Sequence, residues 1–437
     1  MKSSSIRTSW KKRFWKCQHF LMERLSLLSL VQRVKTMGQT LSEPITAKES
    51  ASLQSSRVKV GSSSMQGWRI SMEDAHTHIL QLTEDKDAMF FGVYDGHGGG
   101  KIAAYVSKHL HKIILKQPEY QKGDIETAIA KGFLECDETM RTEESLKDEM
   151  SGSTAITALV RDNKVFINNV GDSRCIAGVS GKALALSVDH KPQDEKEHQR
   201  IVNAGGFVEF NRVNGNLALS RALGDFAFKT NTTLPAEEQV VSSCPDIVVR
   251  EIGDDWDFIL LACDGIWDVL TNQDVADFVI KRIGEGKEPE VICEELMTKC
   301  LAPDSTMGGL GCDNMTVILV CLLQDKPYQR LVDKCAKLAA NLASERNQEE
   351  GDQLNGSGEN GTDPKTTNGH AIDSPVSSTP SSFSSSATSP SSIQGNDEGE
   401  GAESQDKRSK LEPMAAKTTT SPTSSDTQAT VEPGADG

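Results

Sequence analysis

Apolar residues gather in short runs between residues 60 and 325, and their spacing alternates between the two periods of regular structure. Ala88-Met89-Phe90-Phe91-Gly92-Val93-Tyr94 is a continuous apolar run and predicts a buried strand. Residues 101–116 carry apolar positions at helical spacing, and a second helix is expected over 124–140. Residues 154–160 and 165–170 read as strands, and Asn169-Val170-Gly171-Asp172-Ser173 turns the chain into 175–179, which predicts a hairpin. Further on, 257–263 is a strongly apolar strand, 274–283 and 289–301 read as helices, and 314–323 as a closing strand. Strand pairs alternating with helix pairs predict an α+β fold: a central β-sandwich of two antiparallel sheets flanked by pairs of helices, in four-layer αββα order.

The ends differ from this middle. Residues 1–36 are basic and amphipathic, with Lys11, Lys12, Arg13 and Lys16 among Phe14, Trp15, Leu25 and Leu27. They fit either a mitochondrial transit peptide or an extension upstream of a second start at Met37. The second reading is favoured because Met37-Gly38-Gln39-Thr40-Leu41-Ser42 fits the myristoylation pattern, which works only when Gly38 becomes the N-terminus and gives reversible membrane contact. Residues 37–59 are then an N-terminal segment, 60–325 the globular domain and 326–346 a helical segment. From 347 to 437 the chain is Ser, Thr, Pro, Gly and acid, too poor in large apolar residues to offset the entropy of ordering, and is expected to be a disordered tail. Lys407-Arg408-Ser409-Lys410 is a weak nuclear address, more simply read as solvated charge.

Charge narrows the partners. In 437 residues, 47 Lys and Arg against 63 Asp and Glu leave a net charge of −16, which argues against nucleic acid and suits divalent cations or basic targets. The ten cysteines form no C-x-x-C pair and no Cys/His cluster at zinc spacing, so they read as reduced thiols. No segment reaches the roughly 18 unbroken apolar residues of a membrane span. A monomer is the default.

Three aspartates stand at ends of predicted strands: Asp95 after 88–94, Asp264 after 258–263, and Asp313 before 314–323. Each alone reads as a turn former. Together, gathered carboxylates repel one another unless a cation lies between them, and oxygen ligands without His or Cys favour magnesium or manganese. Two such ions roughly 3.5–4 Å apart share a bridging water and lower its pKa, giving a nucleophile that needs neither Ser nor Cys. An Arg to clamp a phosphate and an acid to protonate a departing alkoxide complete the requirement.

An ordered set of motifs then carries a resemblance. Arg69-Ile70-Ser71-Met72-Glu73-Asp74-Ala75-His76, Phe91-Gly92-Val93-Tyr94-Asp95-Gly96-His97-Gly98-Gly99, Ser151-Gly152-Ser153-Thr154-Ala155, Gly171-Asp172-Ser173-Arg174, Leu186-Ser187-Val188-Asp189-His190-Lys191-Pro192, Ser220-Arg221-Ala222-Leu223-Gly224-Asp225, Ala262-Cys263-Asp264-Gly265-Ile266-Trp267-Asp268 and Asp313-Asn314-Met315-Thr316 resemble the type 2C protein serine/threonine phosphatases, alpha/beta-type subgroup, over about 66–323. The resemblance implies hydrolysis of phosphoserine and phosphothreonine in protein substrates by a water bridging two Mg2+ or Mn2+ ions. Asp95 would bridge the ions, and the Gly96 carbonyl, Asp264, Asp313 and Glu73 would complete their shells. Arg69 would bind phosphate and His97 act as general acid. Asp172 is implied near a weaker third ion, although its bland reading is a turn side chain. Asp74 follows Glu73 directly, and on a strand the two would point to opposite faces, so Asp74 is expected as an outer-shell partner. Ordinary readings stand beside these: a salt bridge for Arg69, a turn-capping bond for His97. Asp189, His190 and Asp225 carry no assigned step.

Other phosphatase chemistries fail on single residues. An aspartyl nucleophile uses D-x-D-G, but Ile266 stands where the second Asp is required, and no cysteine follows a histidine as a cysteine phosphatase needs. A P-loop over Gly96–Lys101 fails because Asp95 replaces its first Gly and Ile102 its Ser or Thr. The rival from another class is a non-catalytic interaction protein on the same fold. The expected location is cytoplasmic, reaching the nucleus, the membrane if Gly38 is myristoylated, and mitochondria only if 1–36 serve as a transit peptide.

Overall fold

Continuous apolar runs become strands with both faces covered. The computed structural model describes residues 40–305 and 309–355, with backbone alone at 343 and 345–355. The basic extension 1–36, Gly38 and the tail beyond 355, including Lys407–Lys410, lie outside the described residues. In chain order the elements are β1 (Thr40–Gln54), β2 (Val58–Arg69), β3 (Ala75–Ile79), β4 (Met89–Tyr94), β5 (Gly96–His97), α1 (Lys101–Lys116), α2 (Pro118–Gln121), α3 (Ile125–Thr142), β6 (Gly152–Ser153), β7 (Ala155–Arg161), β8 (Lys164–Val170), β9 (Arg174–Val179), β10 (Lys182–Ala185), α4 (Glu195–Asn203), β11 (Val208–Glu209), β12 (Arg212–Val213), β13 (Leu223–Gly224), β14 (Asp246–Glu251), β15 (Trp256–Ala262), α5 (Asp264–Trp267), α6 (Asn272–Gly284), α7 (Pro289–Cys300), β16 (Met315–Leu322) and α8 (Tyr328–Asn355).

The fold is mixed α+β with antiparallel sheets. One sheet has six strands in the order β1-β2-β16-β15-β9-β10, another five in the order β14-β8-β7-β4-β3, and β13-β6-β5 and β11-β12 form two small ribbons. Alternate residues of β15 serve two cores, as the two-residue period of a strand requires. Phe258, Leu260 and Ala262 pack with Val275, Val279 and Ile283 of α6 and with Ile292 and Leu296 of α7. Ile259 and Leu261 pack instead with Val58 and Val60 of β2, Phe91 and Val93 of β4, Ile156 of β7 and Ile167 of β8, so this core draws on both large sheets. Phe90 and Leu159 point the other way, onto Ile102, Val106 and Leu110 of α1 and Ile129 and Phe133 of α3. Each such side chain, when fully buried, contributes roughly 1.5–3 kcal/mol. Between β10 and β14 a lobe has its own small core, made by Ile201, Val213, Leu217, Val240 and Val241.

Three expectations change. The strands on either side of 171–173 are not a hairpin: β8 pairs with β7 and β14, whereas β9 pairs with β15 and β10. Gly171, at φ 107°, takes a backbone conformation that side-chain-bearing residues avoid, and there the chain passes from one large sheet to the other. The ordered sheet also begins before residue 60, because Thr40–Gln54 pairs with β2 through nine residue pairs despite its exposed, polar edge. At the other end, α8 runs past 346 to Asn355. Gln348, Glu349 and Glu350 are good helix formers and no proline intervenes before Pro364, so the helix propagates into what composition alone reads as tail.

Candidate metal centre and active site

Each of the three aspartates stands where a buried strand stops. Asp95 follows β4, Asp264 opens the short helix after β15, and Asp313 precedes β16. β15 and β16 are paired, so their carboxylates are delivered to the same end of one sheet. β4, in the other large sheet, brings Asp95 to them. Asp95 is locked at its backbone: its N–H donates to Thr154 Oγ1 at 3.1 Å, and its carbonyl accepts from the Thr154 N–H at 2.9 Å.

The electrostatics of the cluster favour positive charge among the carboxylates. Desolvation, followed by the charge of Asp264 and then of Asp74, Asp313 and Asp172, pushes Asp95 well above the ordinary carboxylate range. Desolvation also pushes Asp264 well up, with Asp172 and Asp313 the largest charges acting on it. Asp313 is raised by desolvation too, although the Arg69 guanidinium opposes that shift. Like charges in a desolvated space call for a cation.

Asp74 holds the surprise. Residues 70–74 form a loop between β2 and β3, so the strand argument for Glu73 and Asp74 does not apply. Carboxylate oxygens of Asp74 and Asp95 and the Cys263 sulfur lie within 4.8 Å of one another, a grouping able to hold a metal ion. Thr316 Oγ1 donates to Asp74 Oδ2 at 2.7 Å, while Asp74 Oδ1 is buried without a hydrogen-bond partner. Desolvation raises Asp74 to about 7, against the lowering effect of the Thr316 bond. An orphaned buried oxygen among carboxylates is the structural requirement a divalent cation satisfies. Glu73 is engaged otherwise: its Oε2 accepts from the Gly99 N–H at 2.9 Å and its Oε1 from Ser71 Oγ at 2.8 Å. The structure thus sets Asp74 beside Asp95 and ties Glu73 to the glycine turn.

Arg69 forms the salt bridge that its ordinary reading expects, with Asp313, and its side chain remains 41% exposed. Gly96 and His97 make up β5, whose pairing with β6 sets Gly96 opposite Ser153. The side chain of His97 caps no turn; Nε2 lies 2.6 Å from Asp225 Oδ2. Burial opposes protonation of His97, but the charge and hydrogen bond of Asp225 outweigh it and the ring is raised above its ordinary value. Asp172, at the crossing between the sheets, is buried and paired with Lys191. Asp95, Asp264, Asp313, Asp74 and Asp172 thus lie close enough to act on one another's charge, with Arg69 paired to Asp313, while Gly38 lies outside the described residues.

Sequence reasoning missed several supports. Asn314 clasps the loop before β3: its Oδ1 accepts from the Glu73 N–H at 2.9 Å, and its Nδ2 donates to the Gln66 and Ser71 carbonyls at 2.8 and 3.0 Å. Thr154, Thr316, Cys263 and Lys191 were also unassigned; each stands inside one of the motifs, but only Cys263 is adjacent to an expected ligand, Asp264. Residues 268–273 with Arg174 and Trp267 line an open hollow beside the cluster.

Comparison with known proteins decides the family. A family profile described as "Protein phosphatase 2C" matches residues 58–308, more than half of the chain. The chain belongs to the protein phosphatase 2C family. It is similar to a probable protein phosphatase 2C of Caenorhabditis elegans, 56% identical over 317 residues that cover 72% of this chain and 88% of the relative. It is also similar to protein phosphatase 2C homolog 3 of Schizosaccharomyces pombe, 50% identical over 307 residues, covering 69% and 74% of the two chains. Among solved structures, a C. elegans sex determining protein superimposes with a TM-score of 0.54 at 26% identity, covering 66% of this chain and 68% of that one. A serine-threonine phosphatase 2C from Toxoplasma gondii, at 23% identity and a TM-score of 0.55, covers 63% and 99% and shares the fold. As a protein phosphatase 2C, the chain is a metal-dependent protein serine/threonine phosphatase whose substrates are phosphoproteins.

Proposed function

We propose that this protein phosphatase 2C hydrolyses phosphoserine and phosphothreonine directly, with no covalent phosphoenzyme, at the carboxylate cluster where the two large sheets deliver Asp95, Asp264 and Asp313. The observation that carries the reading is the gathering of desolvated aspartates that act on one another's charge at Asp95, with Asp74 among them keeping a buried oxygen that has no partner. The residues suited to hold two Mg2+ or Mn2+ ions are Asp95, Asp264 and Asp313 with the Gly96 carbonyl; Asp74 lies within reach of Asp95, Glu73 acts from the loop, and Asp172 suits a weaker third ion. When bound, such ions supply Lewis acidity, lowering the pKa of a shared water and neutralising phosphoryl charge.

The remaining chemistry belongs to the chain. Arg69, at the exposed rim, binds the phosphate oxygens through its fork of N–H donors. The water attacks phosphorus opposite the departing oxygen, and that oxygen takes a proton from His97. The layer order that best fits the three cores is the four-layer αββα sandwich, with the catalytic domain extended to include β1.

The test is turnover of a phosphothreonine peptide by the full chain with Mn2+, with Mg2+ and with chelator. Activity restored by either ion and abolished by chelator supports the reading. A folded protein that turns over nothing with any metal would instead be a non-catalytic interaction protein on this fold.

A further inference from the structure

His97 and Asp225 are 128 residues apart in sequence, yet the fold spends several elements on bringing them together. The ribbon β13-β6-β5 is the frame: β6 sets Gly152 opposite His97 on one side and opposite Gly224 on the other, so Asp225 follows directly from the strand beside His97. A Cβ on Gly152 would lie 2.2 Å from Asp225 Oδ2 and 2.4 Å from His97 Nε2, so only glycine leaves room for the pair. Asp225 itself sits at φ 50°, in the left-handed region that side-chain-bearing residues rarely occupy, and is 5% exposed. Such a conformation costs of order 1–3 kcal/mol and persists only where its surroundings enforce it.

The enforcement is visible. The Asp225 N–H donates to the Ser151 carbonyl at 3.1 Å, and its carbonyl accepts from the Phe228 N–H at 2.9 Å. On α3, Asp137 accepts from the Gly224 N–H at 2.8 Å and from Lys229 Nζ at 2.7 Å, and Lys229 also donates to the Ala222 carbonyl at 2.8 Å. Both side chains of that ion pair are buried. One helix therefore holds both flanks of Asp225.

We infer that Asp225 is the positioning residue for His97. Its carboxylate engages Nε2 and fixes the ring, so that the proton given to the departing serine or threonine oxygen is the one on Nδ1, which has no hydrogen-bond partner among the described residues. In the step, the water oxygen forms its bond to phosphorus, the bond from phosphorus to the side-chain oxygen breaks, and that oxygen takes the Nδ1 proton. The proton lost by the water restores the ring. The inference rests on His97 acting as general acid.

Leaving-group dependence tests it. An alkoxide must be protonated as it departs, whereas p-nitrophenolate leaves without help, so loss of an oriented acid penalises one substrate and spares the other. Full-length Asp225→Asn, in which Asn tolerates the left-handed backbone, is compared with His97→Gln and with the double variant on a phosphothreonine peptide and on p-nitrophenyl phosphate, all with Mn2+. The expected result is a kcat loss of about 100-fold on the peptide for each single variant, turnover of p-nitrophenyl phosphate within about 3-fold of the parent, and no further loss in the double variant. Retained p-nitrophenyl phosphate turnover also reports that the fold is intact. Should Asn not fold, Asp225→Gly takes the same backbone and removes the carboxylate. Equal losses on both substrates, or no loss on either, would overturn the role of Asp225 if His97→Gln remains selective. If His97→Gln is itself unselective, the general-acid reading falls and this inference with it.

Discussion

Glu197 is the best place to perturb the lobe beside the site. Its side chain is 5% exposed on α4. Oε1 accepts from Arg221 Nη2 at 2.7 Å, and Oε2 from Arg200 Nη1 at 2.6 Å and Ser220 Oγ at 2.7 Å. Burial alone would raise its pKa, but these hydrogen bonds and charges pull it from the ordinary 4.5 down to about 2. Burial would lower Arg221, but Glu197 and Asp246 outweigh it and raise it, while burial dominates at Arg200 and lowers it. Because the folded pKa lies below the unfolded one, the stabilisation is fully present above about pH 4.5 and is lost as pH falls through about 2. The difference corresponds to about 3 kcal/mol at neutral pH, falling to roughly 1.4 kcal/mol by pH 3. Glu197→Gln keeps the shape and removes the charge. Urea unfolding at pH 7 should show a loss of that order, and the gap to the parent should narrow on acidification. A variant within about 0.5 kcal/mol of the parent at pH 7 would show that the network behaves like an exposed ion pair, and the reasoning would fail.

Other perturbations follow from single contacts. Phe133→Ala removes a fully buried ring between α1 and α3 and should cost about 3–5 kcal/mol, read by thermal or urea unfolding. Thr316→Val deletes the bond that holds Asp74 inward while keeping the volume; the Mn2+ concentration for half-maximal activity should rise by about 10-fold or more, with little change in stability in the presence of chelator.

What could be read from the sequence follows a physical line. β4, β15 and β16 are buried on both faces, so their residues are apolar without interruption, and the aspartates that end them stand out. β1 has an exposed face and a polar sequence, and its place in the sheet depends on β2 rather than on its own pattern. The turn at 171–173 has the composition of any tight turn; whether the next strand pairs with the last is settled by Ile176 and Ala177 finding partners on β15. The alternation argument for Glu73 and Asp74 does not apply because it presumes a strand, and Asn314 holds that segment as a loop. Asp225 was visible as a motif residue, but its partner is set by the pairing of β13, β6 and β5, which no local spacing encodes.

The central claim is that the carboxylates exist to hold cations for phosphoester hydrolysis, and Asp264→Asn tests it most directly. Phosphothreonine peptide turnover is followed across Mn2+ concentration for parent and variant, alongside thermal unfolding in chelator. The account predicts a fall of about 100-fold in activity at modest Mn2+, with a chelated variant at least as stable as the chelated parent, because one of several repelling, desolvated charges is gone. Full activity of the variant at low Mn2+, or a parent indifferent to chelator, would contradict it.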